Sequence, residues 1–565
     1  MKISSFLLTT LLSTGSLLAQ DITPASAATI KNWQDARFGM FIHWGPVSLK
    51  GAEIGWSRGG HIPIEEYDNL YKQFNPTKFD ADEWVAVAKA SGMKYIILTT
   101  KHHDGFCLWD TKQTDYNIMK TPFKRDVVKE LAAACKKGGI AFGAYYSACD
   151  WHHPSYPLGS PAGTSKNPNP DLKAYDAYLQ GQVTELVKNY GPLLTLWFDV
   201  PQAYDQTYGI PMVNMLRKLQ PNLMINNRAY SVGGAGSGIG LQLPVGDYDT
   251  PEQSIGGFNM DRPWETCMTL CQQWAWKPND TMKSIEECIH TLIRTNGGDG
   301  NLLFNVGPQP DGLIEGRQVE RLKEMGAWLK KNSMAIYGTR GGPWKPSAQI
   351  ASTRKGNKIY LHLLKKIEGP VTVTAPPVAI KSAKLLNGPP LKTSIADGSL
   401  SFVIPNNSWD KIDTIIELTI DGDSMDIAPI KHSKKSSIPG AKASASASYQ
   451  NIPEFSAEMV LDGDPESRWA TNEGTRQAWL QIDLAKETTF NGISIEEALA
   501  GHSSRVTKFE LQKKDGSSWT TFHSGNALGA HFKASFEPVT TTAFRLNILD
   551  ASEGPTISEI LIQTP

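Results

Sequence analysis

Polar and aromatic residues stand where apolar runs end throughout the first half of the chain. They are His43 with Trp44, His102 with His103 and Asp104, Tyr145 with Tyr146, Trp197 with Asp199, Arg228, and Glu252. His and Arg side chains hydrogen-bond hydroxyl groups, aromatic rings stack on sugar C–H faces, and paired carboxylates cleave glycosidic bonds. One strand-end Asp is often only a helix N-cap, but a series of such ends favours a shared site for a sugar.

Other hydrolytic chemistries are not favoured by the sequence. His102 and His103 are adjacent, so on a strand their side chains would point to opposite faces and would not easily share one ion. The chain has no HExxH motif and no third ligand at a plausible spacing. A GxSxG elbow for serine catalysis is absent as well.

The elements that must position these residues alternate between strands and helices. Continuous apolar runs, typical of strands buried on both faces, occupy residues 38–45, 95–106, 141–151, 193–200, 222–228 and 301–308. Helix patterns lie between them at 80–92, 126–139, 179–191 and 284–298. Residues 30–344 are therefore predicted to form an α/β domain, a (β/α)8-like (TIM-type) barrel with its site at the strand C-termini. A doubly wound open sheet is the alternative, but it would need a Gly-rich turn that is not present.

The second half of the chain has a different pattern. Short alternating runs with Gly, Pro and Asn turns predict an antiparallel β-sandwich over 345–425. A polar stretch rich in Ser, Ala and Lys predicts a linker at 426–440. Further β patterns over 441–565 predict a C-terminal β jelly-roll module.

Composition excludes several classes of protein. Lys plus Arg is 56 and Asp plus Glu is 57, which gives no electrostatic footprint for nucleic acid. With 40% hydrophobic residues the chain is neither disordered nor fibrous. Twelve of the 16 Trp precede residue 346, so the aromatic residues belong mainly to the predicted barrel. The six Cys are too few and too clustered for a disulfide framework, and are expected to be buried thiols.

The N-terminus indicates export. Met1 and Lys2 precede a short apolar stretch that ends at Ala19, which predicts a signal peptide over 1–19. A membrane anchor is the alternative, but the stretch is broken by Ser, Thr and Gly and is short for a span. We therefore expect a secreted or periplasmic protein without a membrane span.

Longer strings resemble one known family. The chain contains, in order over most of residues 33–345, FGMFIHWGPVSL, TTKHHDGFCLW, AFGAYYS, LWFD, VGDYDTPE and GGDGNLLFNVGPQPDG. These resemble the α-L-fucosidases of glycoside hydrolase family 29, retaining exo-hydrolases with a (β/α)8-like barrel and a β-sandwich. The resemblance implies that Asp199 is the nucleophile. Family members commonly have Gly after this Asp, whereas this chain has Val200.

The resemblance also implies an acid/base and a set of substrate contacts. Glu252 in DYDTPEQ is the best match for the acid/base, because it closes a strand-like run. Glu265 is the competitor, but it begins a predicted helix, where an acid is favoured by its first-turn position alone. The implied contacts to fucose are His43, His102, His103, Tyr145 or Tyr146, Trp197 and Arg228, with Trp56 and Trp274 as hydrophobic walls. The implied double displacement needs no cofactor.

The C-terminal module resembles the discoidin type, factor V/VIII type C, which includes family-32 carbohydrate-binding modules. The strings that carry the resemblance are EMVLDGDPESRWATNEGTRQAWLQIDL at 458–484 and ISEILI at 557–562. Such modules often hold a structural calcium, and the matching acids here are Asp462, Asp464 and Glu559. Oxygen ligands suit calcium. Alternatively, these acids only cap a turn.

The expected function is therefore that of an exported α-L-fucosidase acting on fucosylated oligosaccharides or glycoproteins. The variant strings EIGWSRG and FCLW resemble enzymes selective for α-1,3/1,4 linkages. Two rival functions remain: an inactive, lectin-like fucose-binding protein, and a retaining exo-glycosidase for another sugar such as α-galactose. The sequence leaves the oligomeric state open.

Overall fold

The computed structural model describes residues 22–161, 165–232, 245–255, 257–430, 438–451, 455–463, 467–499 and 504–564. The chain divides into two units. One contains the chain up to Ser254 with Arg262–Lys283 and Asn301–Ala327, and the other contains Ile255–Asp261, Ser284–Gly300 and Trp328–Pro565. The predicted signal peptide over 1–19 lies outside the described residues, as does the middle of the predicted linker.

The first unit is built around a parallel sheet. Its strands are β1 (Phe38–Ile42), β2 (Tyr95–Lys101), β3 (Ala141–Ser147), β4 (Thr195–Asp199), β5 (Met224–Ile225), β6 (Glu265–Thr269) and β7 (Asn301–Val306). They pair in the order β5-β4-β3-β2-β1-β7-β6, and every pairing is parallel. Almost every strand residue is buried, as the continuous apolar runs predict.

Residues 247–253 close the sheet between its two outer strands. Asp247 N donates to the carbonyl of Ile225 on β5 at 2.6 Å, and Gln253 N donates to the carbonyl of Cys267 on β6 at 3.0 Å. Parallel bridges of this segment join Asn226 to Tyr248, Asp249 to Trp264, and Glu252 to Cys267. With this segment the ring has eight parallel members, which confirms the (β/α)8-like barrel.

Helices follow the strands along the chain. They are α1 (Ala27–Ala36), α2 (Ile64–Asn69), α3 (Ala81–Ala90), α4 (Val127–Gly138), α5 (Leu172–Asn189), α6 (Gln206–Leu219), α7 (Ile285–Gly297) and α8 (Gly316–Asn332). Several begin at a capping side chain, because the first backbone N–H groups of a helix lack internal partners. Ser284 and Glu287 form a capping box at α7, and Asp80 accepts two N–H groups of α3. None of the helices in the described ranges has the length and hydropathy that a membrane span would need.

One sequence-based expectation about this unit is wrong. The run 266–274, which contains Cys267 and Cys271, was expected to form a helix, but its first residues form β6. A short apolar run does not distinguish a buried strand from a helix, and here pairing with β7 decides the outcome. All six Cys are buried free thiols, as expected.

The second unit contains two antiparallel sheets between residues 340 and 420. Their strands are β8 (Arg340–Gly341), β9 (Ile350–Lys355), β10 (Lys358–Leu363), β11 (Val371–Thr374), β12 (Ile380–Leu385), β13 (Thr393–Ala396), β14 (Ser399–Phe402) and β15 (Thr414–Ile420). One sheet has the order β12-β15-β10-β9-β8 and the other β11-β14-β13. Asp299, from the GGDG string, receives Arg340 Nε and Gly341 N at 2.9 Å each, so that string anchors β8.

The C-terminal strands form a further antiparallel sheet. They are β16 (Lys442–Ala445), β17 (Trp469–Ala470), β18 (Ala478–Glu497), β19 (Val506–Asp515), β20 (Ser518–Gly525), β21 (Phe532–Ala551) and β22 (Thr556–Gln563). The order is β17-β22-β18-β21-β19-β20, with β16 pairing β18. Their apolar side chains form one cluster drawn only from residues 438–562, centred on fully buried residues such as Trp469, Phe490 and Phe544.

Because this cluster contains no residue from the rest of the chain, a fragment of residues 438–565 should fold by itself. We expect a cooperative thermal transition by circular dichroism. Trp469→Ala should lower its free energy of unfolding by about 3–5 kcal/mol, since the ring is fully buried. The same substitution should destabilise this module equally in the full chain. A fragment without a cooperative transition would show that its core needs the rest of the protein.

Candidate active site

Asp199 is held in place at the end of β4 by three donors, with His103 close by. Its Oδ1 accepts from Arg228 Nη1 at 2.8 Å and from Val200 N at 2.9 Å. Its Oδ2 accepts from the Tyr145 hydroxyl at 2.8 Å and lies 3.8 Å from His103 Nε2. Burial alone would raise the pKa of Asp199, but Arg228, His103 and Tyr145 together hold it below its usual value. The carboxylate is therefore kept ionised in a buried position.

Val200 continues the chain in a strained conformation. Its φ is 43°, in the left-handed region, which is costly for a β-branched side chain and is disfavoured before a proline such as Pro201. Val200 lines the cavity beside Asp199. A β-branched residue thus lines the site at the position where family members commonly have Gly.

Arg228 joins the two candidate catalytic carboxylates. The same Nη1 that contacts Asp199 also donates to Glu252 Oε2 at 3.0 Å. Nε and Nη2 donate to the hydroxyl and carbonyl of Thr250 at 2.9 Å and 2.7 Å, so the guanidinium also holds the segment that carries Glu252. Burial would lower the pKa of Arg228, but Asp199 and Glu252 raise it above its ordinary value, and the guanidinium stays charged.

Three histidines form one side of the cavity. His43 Nδ1 contacts Asn305 Oδ1 at 2.6 Å, and His103 Nδ1 contacts Ser147 Oγ at 2.7 Å. Burial lowers the pKa of His43 to about 3 and that of His103 to about 4, and it lowers the pKa of His102 well below 6.5. The three imidazoles are therefore neutral near pH 7 and can both donate and accept hydrogen bonds.

Aromatic rings form the rest of the cavity. Tyr145 and Trp197 are stacked at 5.5 Å between ring centroids, and Arg228 lies 5.0 Å from the Trp197 ring. Trp274 lies 4.8 Å from His43. Trp56 differs from the others, since 46% of its side chain is exposed at the rim. Neutral donors, two carboxylates and apolar rings together suit a small polyhydroxylated ring with an apolar face.

The cavity contains ten of the eleven residues predicted for catalysis or substrate contact. It is lined by Phe41, His43, Trp56, His102, His103, Tyr145, Trp197, Asp199, Val200, Arg228, Glu252, Cys267 and Trp274. Sequence reasoning missed Phe41, Val200 and Cys267. Phe41 and Cys267 lie within apolar strands, where the pattern does not show which side chains face inward, whereas Val200 stands out in the sequence only as a departure from the family.

Two sequence-based placements need correction. Tyr146 does not line the cavity, because it is the neighbour of Tyr145 on β3 and points to the opposite face. Its hydroxyl donates to Gln182 at 2.8 Å, and Lys101 Nζ lies over its ring. His102 and His103 were expected on opposite faces, but β2 ends at Lys101 and both rings line the cavity, with centroids 3.9 Å apart.

The competitor Glu265 lies inside the barrel and not in the cavity. It is fully buried on β6, where it accepts from the Tyr95 hydroxyl and from Trp197 Nε1, the latter at 3.2 Å. Burial raises the pKa of Glu265 to about 8. Glu265 therefore fixes the Trp197 ring through a hydrogen bond inside the barrel, whereas Glu252 faces the cavity beside Asp199.

The acids proposed for calcium are only partly described. Asp462 accepts from Ser467 Oγ at 2.8 Å, and Glu559 lies on β22 with 7% exposure. Asp464 lies outside the described residues. Within the described ranges, no group of three or more His, Cys, Asp or Glu side chains is arranged to hold a metal ion.

A parallel (β/α)8 barrel whose strand ends bring two carboxylates together has the arrangement that glycoside hydrolases use. Comparison with known proteins gives the family: the alpha-L-fucosidase family matches residues 14–334, and the F5/8 type C domain matches residues 441–561. The chain belongs to the alpha-L-fucosidase family.

Individual relatives agree with this assignment. The human plasma alpha-L-fucosidase is 32% identical over 374 residues, which is 60% of this chain and 77% of that protein. The alpha-L-fucosidase isoenzyme 1 of Paenibacillus thiaminolyticus is 34% identical with a TM-score of 0.63, over 70% of this chain and 99% of that one. A Bacteroides thetaiotaomicron family 29 enzyme, trapped as a covalent intermediate with 2-fluoro-fucosyl fluoride, is 26% identical with a TM-score of 0.63, over 72% and 98%. The chain is therefore an α-L-fucosidase that acts on fucosylated glycans.

The buried carboxyl of Glu265 predicts a pH-dependent stability. Its pKa is about 8 in the folded chain against 4.5 normally, so the folded state binds a proton that the unfolded state releases between these values. The free energy of unfolding should therefore fall as pH rises through this window. Glu265→Gln should remove that dependence. As pH rises from 5 to 9, its free energy of unfolding should increase relative to that of wild type by roughly 2–4 kcal/mol.

Thermal unfolding across this pH range tests the prediction. The exposed Glu324→Gln is the matched control and should track wild type. If Glu265→Gln also tracks wild type, the carboxyl of Glu265 is not protonated in the folded barrel.

Proposed function

We propose that this α-L-fucosidase works by double displacement, with Asp199 as nucleophile and Glu252 as acid/base. The observation that carries the proposal is the shared nitrogen of Arg228. It lies 2.8 Å from an oxygen of Asp199 and 3.0 Å from an oxygen of Glu252, so those oxygens are at most 5.8 Å apart. Retaining enzymes separate their carboxyl groups by about 5–5.5 Å and inverting enzymes by about 6.5–9.5 Å.

In the first step, Asp199 forms a bond to the anomeric carbon of fucose as the bond to the leaving oxygen breaks. Glu252 gives its proton to that oxygen. In the second step, Glu252 takes a proton from water, and the water oxygen displaces Asp199 from the sugar. The steps need two carboxyl groups and water but no cofactor. The trapped intermediate of the Bacteroides enzyme supports the same course here.

Arg228 suits both steps because negative charge moves between its two partners. Before the reaction the charge is on Asp199 and Glu252 carries a proton. In the fucosyl-enzyme Asp199 is a neutral ester and Glu252 is ionised. The guanidinium contacts both groups, so one fixed positive charge compensates whichever carboxylate is charged.

The remaining cavity residues are proposed to bind the fucosyl group. The neutral side chains of His43, His102 and His103 suit hydroxyl groups, while Trp197 and Trp274 suit the C–H face and the methyl group of a 6-deoxy sugar. Export is proposed from the residue pattern of the leader at 1–19, and preference for α-1,3/1,4 linkages from the resemblance of the EIGWSRG and FCLW strings. Hydrolysis of a panel of α-1,2, α-1,3, α-1,4 and α-1,6 fucosides tests the linkage.

Asp199→Ala and Glu252→Ala should fail in different ways. Asp199→Ala should lower kcat by about 10³-fold or more on every substrate, because the covalent step is lost, and azide should yield β-fucosyl azide. Glu252→Ala should lose far more activity on natural glycans than on aryl fucosides with good leaving groups, and azide should yield the α-product.

Glu265→Gln is the matched control for the second variant, since it removes a carboxyl that does not face the cavity. It should show no dependence on the leaving group. If Glu265→Gln shows that dependence and Glu252→Ala does not, the acid/base assignment is wrong. Near-normal activity of Asp199→Ala would remove it from the mechanism.

The C-terminal module is proposed to bind carbohydrate and to hold a calcium ion through Asp462, Asp464 and Glu559. Carboxylate oxygens are the ligands that calcium prefers. Millimolar Ca²⁺ should raise the Tm of this module by several degrees over an EDTA-treated sample, because the ion binds only the folded state. Asp462→Asn should abolish that shift, and the exposed Asp515→Asn should keep it. An equal shift in wild type and Asp462→Asn would place the ion elsewhere.

A further inference from the structure

Two carboxylates bind the backbone of the loop that carries Trp274. Residues 272–275 present four consecutive N–H groups. The first two donate to Asp280 Oδ2, both at 3.0 Å. The last two donate to Glu53 Oε2 and Oε1, at 2.9 Å and 3.0 Å. Asp280 follows this loop directly, whereas Glu53 is 221 residues away from Trp274.

Glu53 also begins the loop that carries Trp56. Its Oε1 accepts from Ile54 N at 3.1 Å. Its carbonyl accepts from Ser57 Oγ and Ser57 N, at 2.5 Å and 3.2 Å, which closes a turn with Trp56 inside it. Glu53 is thus the first residue of the EIGWSRG string, and its carboxylate reaches out of the turn to the other loop.

The far side of the Trp56 turn is held independently. Arg58 Nη1 donates to the carbonyls of Trp151 and Gly159 at 3.1 Å and 2.6 Å, and its other nitrogens bind Asp68. Gly55 N donates to the Tyr67 hydroxyl at 2.8 Å. Trp56 is nevertheless 46% exposed, so packing alone does not enclose its ring. The ring makes edge contacts with His103 and Trp151, at 5.4 Å and 5.3 Å between centroids, so its position depends on these rings and on the backbone together.

We propose that Glu53 is a positioning residue. It links the loop of Trp56, at the rim of the cavity, to the loop of Trp274, which forms one wall. It thereby sets the shape of the space that binds the fucosyl group and the sugar residue attached to it. The inference rests on the proposed substrate contacts of these two rings. It assigns the carboxylate of EIGWSRG to cavity shape and not to chemistry.

The coupling extends to the histidine side of the cavity. Asn305 Nδ2 donates to the Trp274 carbonyl at 2.7 Å, and its Oδ1 contacts His43 Nδ1 at 2.6 Å. A shift of the Trp274 loop would therefore change the partner of His43. Glutamine at position 53 would offer one acceptor oxygen, and its amide would set a donor against a backbone N–H.

A cycle of substitutions tests the coupling. The kcat and KM of wild type, Trp56→Ala, Trp274→Ala and the double variant are measured on a fucosylated oligosaccharide. With Glu53 present, the fold-loss in kcat/KM of the double variant should differ from the product of the two single fold-losses by about fivefold or more, mainly through KM. This difference is called the departure below. In the Glu53→Gln background the two effects should multiply to within about twofold.

Asp280→Asn is the matched control, because it removes a carboxylate from the same loop without touching the Trp56 turn. The departure should persist in that background. Glu53→Asp, which keeps both acceptors on a shorter side chain, should restore part of the departure, and circular dichroism confirms that each variant is folded. If Glu53→Gln does not fold, the cycle is measured in the Glu53→Asp and Asp280→Asn backgrounds instead. The departure should then be smaller with Glu53→Asp than with Asp280→Asn.

The outcomes separate this inference from the proposed function. Full activity of both Trp single variants would overturn the substrate contacts and the inference with them. If both Trp single variants lose activity, the substrate contacts stand. The inference is then overturned if the double effect equals the product of the single effects when Glu53 is present, or if the departure persists in the Glu53→Gln background.

Discussion

The site depends on one buried cation. Arg228 contacts Asp199, Glu252 and Thr250, and its positive charge stabilises the buried Asp199 beside the part-exposed Glu252, with the contacted oxygens no more than 5.8 Å apart. Without it, burial would favour the neutral form of Asp199. The same guanidinium covers the Trp197 ring. The ionisation of the nucleophile, the gap between the carboxyl groups and the position of residues 247–253 therefore follow from a side chain placed just after β5.

Much of the cavity could be predicted because parallel strands bring their C-terminal ends together. Polar residues that end separate apolar runs must then meet, and this holds for Asp199, Arg228 and His43. The rule does not settle local geometry. The sequence does not show which of Tyr145 and Tyr146 contacts the sugar, because this depends on which face of β3 points inward. In the structure only Tyr145 faces the cavity. His102 and His103 were misplaced because the end of β2 could not be located from the apolar run.

Other features could not be predicted because they depend on contacts between distant segments. The strand β6 is stabilised by pairing with β7, although its own short run is compatible with a helix. Nothing in the EIGWSRG string indicates that Glu53 reaches the Trp274 loop. The family resemblance supplied the roles of Asp199 and Glu252, which periodicity alone does not distinguish from structural acids.

The segment 247–253 does two jobs, and this restricts how the protein can vary. It completes the ring between β5 and β6, and it carries Glu252. Side chains of an extended segment alternate between faces, so inserting or deleting a single residue here would turn Glu252 away and disturb the bridges to β6 together. A change in chain length within this segment would therefore affect the barrel and the catalytic carboxyl at once. Engineered variants should therefore keep the length of residues 247–253 unchanged.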